Sequence, residues 1–314
     1  MSASTNFWWG VAWLAATTVV FLGPLLPGLL ELRRGRDAKA LDIDDFDSGE
    51  TDYRIKLLAP RLPALSTLAQ ASSWLAGDRY RLPQGTRLAA ARSDLAVSLD
   101  KDAVVDILIS DRTLEMAEGS QVTHLAHAES ILAHGPVQLS GRTSAESLIV
   151  LAEGSSAFRV AAPCIVTAPL SAAPETGAAE PPTPLTQLPQ RHEGDFTLEA
   201  GETLQSSLVV HGDVTLREGA RLVGHIKAHG DVELAEGACV AGAIFATGSI
   251  RCAGANRVEG PVSAIKTAAL GGGTIAGSPS VACSVSGWDV VLGPGVAVFG
   301  TVTSVGGCRI VGGQ

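Results

Sequence analysis

The sequence predicts an all-β, triangular β-helix, a solenoid with about 18 residues per turn, preceded by one N-terminal transmembrane helix. Three observations carry this expectation. Hydrophobic residues make up 46% of the 314 residues but aromatics only 4%, and there are 35 glycines. Such a core is built from Val, Ile and Ala, which suits thin stacked β layers. Three six-residue segments then repeat without gaps at a spacing of eighteen, starting at His211, His229 and Thr247. Finally, an uncharged stretch of 24 residues runs from Phe7 to Leu30.

That stretch, residues 7–30, is long enough for a helix to cross the roughly 30 Å hydrocarbon layer. Trp8, Trp9 and Trp13 stand near its start, where amphipathic rings favour the membrane interface. A cleaved signal peptide fits less well, because no basic residue precedes the apolar run and no small-x-small site ends it. Arg33, Arg34, Arg36 and Lys39 follow at once. By the positive-inside rule the expected location is a bacterial inner membrane, single-pass, with the bulk of the chain in the cytoplasm. Residues 31–83 read as a juxtamembrane acidic spacer and connecting segment, with Asp42, Asp44, Asp45, Asp47, Glu50 and Asp52 close together. These do not form an EF-hand loop, whose sixth and twelfth positions require Gly and Glu but are Asp47 and Tyr53 here.

Residues 84–167 have β-like texture without strict register and read as a degenerate solenoid block. Leu148-Ile-Val-Leu151 is one apolar run, and Glu118-Gly119 and Glu153-Gly154 lie 35 apart, close to two turns. Residues 168–192 are rich in Pro, Ala and Thr and read as a linker. The main β-helix is then expected over 193–314.

Within it the repeat resolves into columns. Val214, Val232, Ile250 and Ala268 share one; Leu216, Leu234, Cys252 and Leu270 another; Leu222, Val240 and Val258 a third; Ile226, Ile244 and Val262 a fourth. Apolar and polar residues alternate inside each segment, the period-two signature of strands. Glu218-Gly-Ala and Glu236-Gly-Ala mark corners, and eighteen residues allow three strands and three corners per turn. Such turns bury apolar surface only against their neighbours, so an uncapped end exposes unpaired backbone and apolar columns. Val302, Val305, Ile310 and Val311 are the candidate self-association end.

The His/Thr-Gly-Asp/Ser-Val/Ile units at 211, 229 and 247, with the Glu-Gly-Ala corners at 218 and 236, resemble the bactofilins, a family of bacterial polymer-forming cytoskeletal proteins. The resemblance is strong over about 195–270. It implies a right-handed β-helix that polymerises end to end without nucleotide and organises cell-envelope or polysaccharide machinery. The implied partners are further copies of the chain as a homopolymer, the membrane through the N-terminal helix, and cell-envelope enzymes.

The net charge of −9 argues against nucleic acid, whose binding depends on phosphate neutralisation. Cys164, Cys239, Cys252, Cys283 and Cys308 are odd in number and lack CxxC spacing, which disfavours a disulfide framework or zinc site. The chief enzymatic alternative is a hexapeptide-repeat acyltransferase, which needs a histidine base. His211 and His229 share a column and His225 stands apart, but a solvent-facing ladder explains them as well. His124, His127 and His134 form a second cluster, which needs a turn to converge on a metal. Glu218 and Glu236 could stack as in sugar-cleaving β-helix enzymes, although corner residues are commonly exposed. No phosphate-loop motif occurs. The expectation is thus no catalytic, cofactor-binding or metal residues, with a non-polymerising envelope adaptor as the other alternative.

Overall fold

Short strands form wherever apolar and polar residues alternate, and each ends where a glycine, a polar corner or both interrupt the alternation. The computed structural model describes residues 8, 9, 11–14, 16–18, 55, 58–68, 71–169 and 189–313. It is an all-β solenoid of about 12 turns with ~18 residues per turn, in two blocks within the unit 54–314.

In the second block every turn has three sides. Side A runs through Gln190–His192, Leu208–Val210, Ile226–Ala228, Ile244–Ala246 and Val262–Ala264. Side B runs through Phe196–Leu198, Val214–Leu216, Val232–Leu234, Ile250–Cys252 and Thr267–Leu270. Side C runs through Thr203–Leu204, Arg221–Leu222, Cys239–Val240, Arg257–Val258 and Ile275–Ala276. Each strand pairs in parallel with its counterpart eighteen residues on, as Val214 with Val232 and Val232 with Ile250. The columns read from sequence are therefore stacked core positions, and Val214, Leu216, Val232 and Leu234 are all buried. Burying each such side chain stabilises the fold by roughly 1.5–3 kcal/mol. The turn after Leu270 is lengthened by a loop over 277–282, so Ala268 pairs with Val290, twenty-two residues on. Cys283–Leu292 and Ala297–Ile310 then complete the block as long bent strands.

The repeated His-Gly-Asp motif has a steric cause. Asp195 Oδ1 accepts the Asp213 N–H at 2.9 Å, Asp213 Oδ1 the Asp231 N–H at 2.8 Å, and Asp231 Oδ1 the Ser249 N–H at 2.8 Å. Each carboxylate occupies the space that a Cβ would take at Gly212, Gly230 or Gly248. Glycine and aspartate thus come as a pair, one turn apart.

The first block, from Arg79–Leu82 to Ser156–Thr167, is also a parallel solenoid, with an interval that varies across bulges. Arg79 pairs with Ala96, Val104 with Gln121 and Ala126 with Thr143 at seventeen, Leu108 with Ala126 and Ile131 with Ile149 at eighteen, and Ile149 with Ile165 at sixteen. The two blocks share a corner. Met116-Ala-Glu-Gly119-Ser-Gln-Val122 matches Leu216-Arg-Glu-Gly219-Ala-Arg-Leu222, with both glycines at positive φ (77° and 65°). In each the next residue is buried and bonds back three positions, Ser120 N–H to Ala117 O at 3.1 Å and Ala220 N–H to Arg217 O at 3.0 Å. This corner sets the correspondence between the blocks' sides.

The blocks are joined where each ends. Ala297–Ile310 pairs antiparallel with Ser156–Thr167. Val302 faces Val160, the same side A position in both blocks. Cys308 on side B faces Ala157 on side C, and reciprocally Ile165 on side B faces Val298 on side C. The junction is thus an internal pseudo-two-fold. A two-fold preserves hand, so both blocks coil in the same sense.

The other face of the first block is capped. Leu75–Ala76 pairs antiparallel with Arg79–Leu82, Ala64 bridges to Arg92, and Leu65 and Trp74 are buried. The strand Gln190–His192 falls inside the segment expected as linker, because it pairs in register with Leu208–Val210.

The unit 1–53 contradicts the expected location. Among the described residues no helix is long and apolar enough to cross a membrane. The described helical positions at 8–9, 11–14 and 16–18 fall short of the about 20 residues that a span needs. A single-pass inner-membrane location with a cytoplasmic bulk is therefore not retained. Of the expected anchor, Trp8, Trp9 and Trp13 are exposed, while Arg33 and Arg34 lie outside the described residues.

Candidate assembly surfaces

An interior built mostly from stacked apolar columns leaves most chemistry to the corners, the outer faces and the ends. The residues expected to form a free end do not form one. Val302 is 1% exposed and Ile310 is buried, both inside the junction. The Ile310 N–H donates to Ser155 O at 3.0 Å, and the Gly154 N–H donates to Ile310 O at 2.9 Å. Only Val305 (62% exposed) and Val311 reach solvent. Ala297–Ile310 has β partners on both sides over most of its length, so it is not a free edge.

The open face lies at the opposite end of the second block, on Gln190–His192, Phe196–Leu198 and Thr203–Leu204. Among the described residues these strands have a ladder partner on one side only. The Gln190 N–H donates inward to Ser207 O and the Phe196 N–H to Asp213 O, both at 2.8 Å. Leu198 O and Leu204 O accept from the next turn, from Arg217 at 3.0 Å and Val223 at 2.8 Å. Because strand residues alternate, the amide groups of Arg191, Thr197 and Thr203 point away from the block. Phe196 and Leu204 are partly buried against the end of the core, and Phe196 meets the His192 ring edge-on at 5.4 Å.

A second surface follows the corner between sides A and B. Ile265, Trp288, Val305 and Phe158 are exposed there on successive turns. The Asp289 N–H binding Lys266 O at 3.1 Å and Ser304 Oγ binding Phe158 O at 3.1 Å fix that adjacency. Trp288 sits in an irregularity between Gly287 and Asp289, so its ring is pushed outward. This ridge crosses the junction and combines residues from both blocks.

The histidines do not assemble a shared centre. His211 and His229 stack at 4.7 Å and 3°, and His211 Nε2 lies 3.9 Å from Glu193. His225 Nδ1 accepts the Ala243 N–H at 3.0 Å. His124 Nδ1 lies 2.9 Å from Thr123 Oγ1 and His134 is exposed. His127 Nδ1 lies 3.0 Å from Ser144 Oγ and its Nε2 3.9 Å from Glu146. This Ser-His-Glu set was not read from sequence, because a seventeen-residue register brings Ser144 to His127. Both are buried, so the contact satisfies two enclosed polar groups. Glu218 and Glu236 are exposed corner residues. No group of three His, Cys, Asp or Glu that could hold a metal occurs among the described residues.

Burial raises the thiol pKa of Cys252 and Cys308 to about 12 and of Cys283 to about 11. Those of Cys164 and Cys239 are also raised, mainly by burial. Protonated thiols are poor nucleophiles and poor metal ligands.

No family model, curated protein or solved structure matches this chain. The surfaces themselves must therefore carry the functional reading.

Proposed function

We propose that the protein is a non-catalytic structural scaffold that associates with further copies of itself through the open face of its second block. The observation that carries this reading is the three-strand edge at 190–204, whose outward amides at Arg191, Thr197 and Thr203 have no ladder partner among the described residues. An unpaired edge is a template for pairing with another chain. The bactofilin resemblance over about 195–270 supports assembly through solenoid ends and adds cell-envelope or polysaccharide enzymes as the clients of the scaffold. The described side-chain clusters serve stacking, capping and polar satisfaction. That distribution supports a mechanical role over the acyltransferase alternative.

The ridge of Phe158, Ile265, Trp288 and Val305 favours a second reading, an adaptor that presents this apolar corner to another protein. Sedimentation velocity of the full chain over a hundredfold concentration range separates the two. The scaffold sediments faster as concentration rises, whereas the adaptor alone stays at the monomer mass of 32.2 kDa.

A further inference from the structure

The internal junction shows how two ends of this solenoid meet, and the open face carries the same cross-section. Stepping down the columns, Val302 corresponds to Gln190, Cys308 to Phe196, Arg309 to Thr197, Ala297 to Thr203 and Val298 to Leu204. In the junction the Val302 position lies on the pseudo-two-fold, and side B of each block meets side C of the other. We infer that the open face pairs with a second copy of this chain by the same rule, and that assembly stops at two rods.

This inference rests on the scaffold reading and limits it. The register that the junction uses puts Gln190 opposite the partner's Gln190 on the axis. It puts Thr197 opposite the partner's Thr203, and Phe196 opposite the partner's Leu204, each pair occurring twice. Both threonines carry outward amides, so antiparallel pairing satisfies them. Facing threonines and aromatic–aliphatic pairs are favourable cross-strand neighbours. Phe196 and Leu204 are also the two partly buried apolar residues packed on the core at this end, so apolar meets apolar at both symmetric positions. The far face of the rod is closed by Leu65, Trp74 and the Leu75–Ala76 strand. One open face among the described residues gives an isologous dimer, whose pairing uses that face up on both copies.

Turns stack about 4.8 Å apart, so about 12 turns make a rod near 58 Å and two end-to-end rods near 115 Å. The test is light scattering and small-angle X-ray scattering on the full chain, with Thr197→Pro and, separately, Thr203→Pro. Each substitution removes an outward amide and leaves the inward ladder in place, and unchanged thermal melts confirm that the fold survives. The expected result is a particle of twice 32.2 kDa in which the two solenoids together extend about 115 Å, with mass and solenoid length halved by either proline. Chains longer than two rods would overturn the two-rod limit while leaving the scaffold reading intact. Monomers at every concentration would overturn both. A dimer about 58 Å long, paired side by side, would overturn the open-face register and place association on the ridge instead.

Discussion

Replacing Val302 by Asp separates a buried junction from a free end. Val302 is 1% exposed, lies in the column of Val262 and Val285, and faces Val160 across the junction. The substitution loses the transfer free energy of a buried valine, roughly 1.5–3 kcal/mol, and encloses a carboxyl without a partner. Together these give a loss on the order of 4 kcal/mol, or about 10 °C in Tm for a chain of this size. The enclosed carboxyl holds its proton more tightly when folded than when unfolded. The pH-dependent part of the loss therefore shrinks as the pH falls toward about 4, the unfolded value, and is absent below it. Val305→Asp, three residues away but 62% exposed, changes stability by less than about 0.5 kcal/mol. Thermal melts followed by circular dichroism compare the two. Equal melts for Val302→Asp and the parent would refute the junction and return these residues to a free end.

Four further outcomes follow from the corners and thiols. Ala255 has φ 48° in the column where Gly219, Gly237 and Gly273 stand, so Ala255→Gly stabilises by about 0.5–1 kcal/mol in urea titrations. Gly230→Ala destabilises by about 1–3 kcal/mol in the same assay, because its Cβ would meet Asp213 Oδ1 and lie 2.8 Å from Gly212 O. A thiol reagent modifies Cys164 and Cys239 in the folded protein but reaches Cys252, Cys283 and Cys308 only on unfolding. Those three keep their protons to about 11–12 when folded, against 9.0 as the reference value. Unfolding therefore releases protons above pH 9, and stability falls as the pH rises from 9 toward 12.

The second block was legible in its sequence from Leu208 to Leu270, because an unbroken eighteen-residue interval lines up chemically similar residues. The first block stacks in the same parallel way, but its interval wanders between sixteen and eighteen residues, so it reads as degenerate. The short corner moves from turn to turn: Val105 to Leu108 spans three residues where Val122 to Ala126 spans four, and Ile109 to Leu114 spans five where His127 to Ile131 spans four. A comb set at eighteen therefore loses its place and swaps inner for outer positions. The Glu118-Gly119 and Glu153-Gly154 pair carried the true interval, seventeen plus eighteen, in its separation of 35. Gln190–His192 was invisible because its residues are all polar and exposed. The junction left no local trace either. Antiparallel pairing between Ser156–Thr167 and Ala297–Ile310 needs only compatible cross-sections, and nothing in either strand's alternation names its partner. Val302 and Ile310 were consequently assigned to a free end, which the structure instead places at 190–204.

The strand Ala297–Ile310 closes the first block across a sequence separation of about 140 residues, as the Ser304–Phe158 hydrogen bond at a separation of 146 illustrates. During synthesis the first block is finished at Thr167, yet its last turn stays bare while the ribosome makes the whole second block. At 5–20 residues per second that interval is on the order of ten seconds. A ribosome that stalls before residue 297 leaves an unpaired hydrophobic edge on view, a signal that chaperones and proteases recognise. The strand Ala297–Ile310 therefore also checks that the second block has been made.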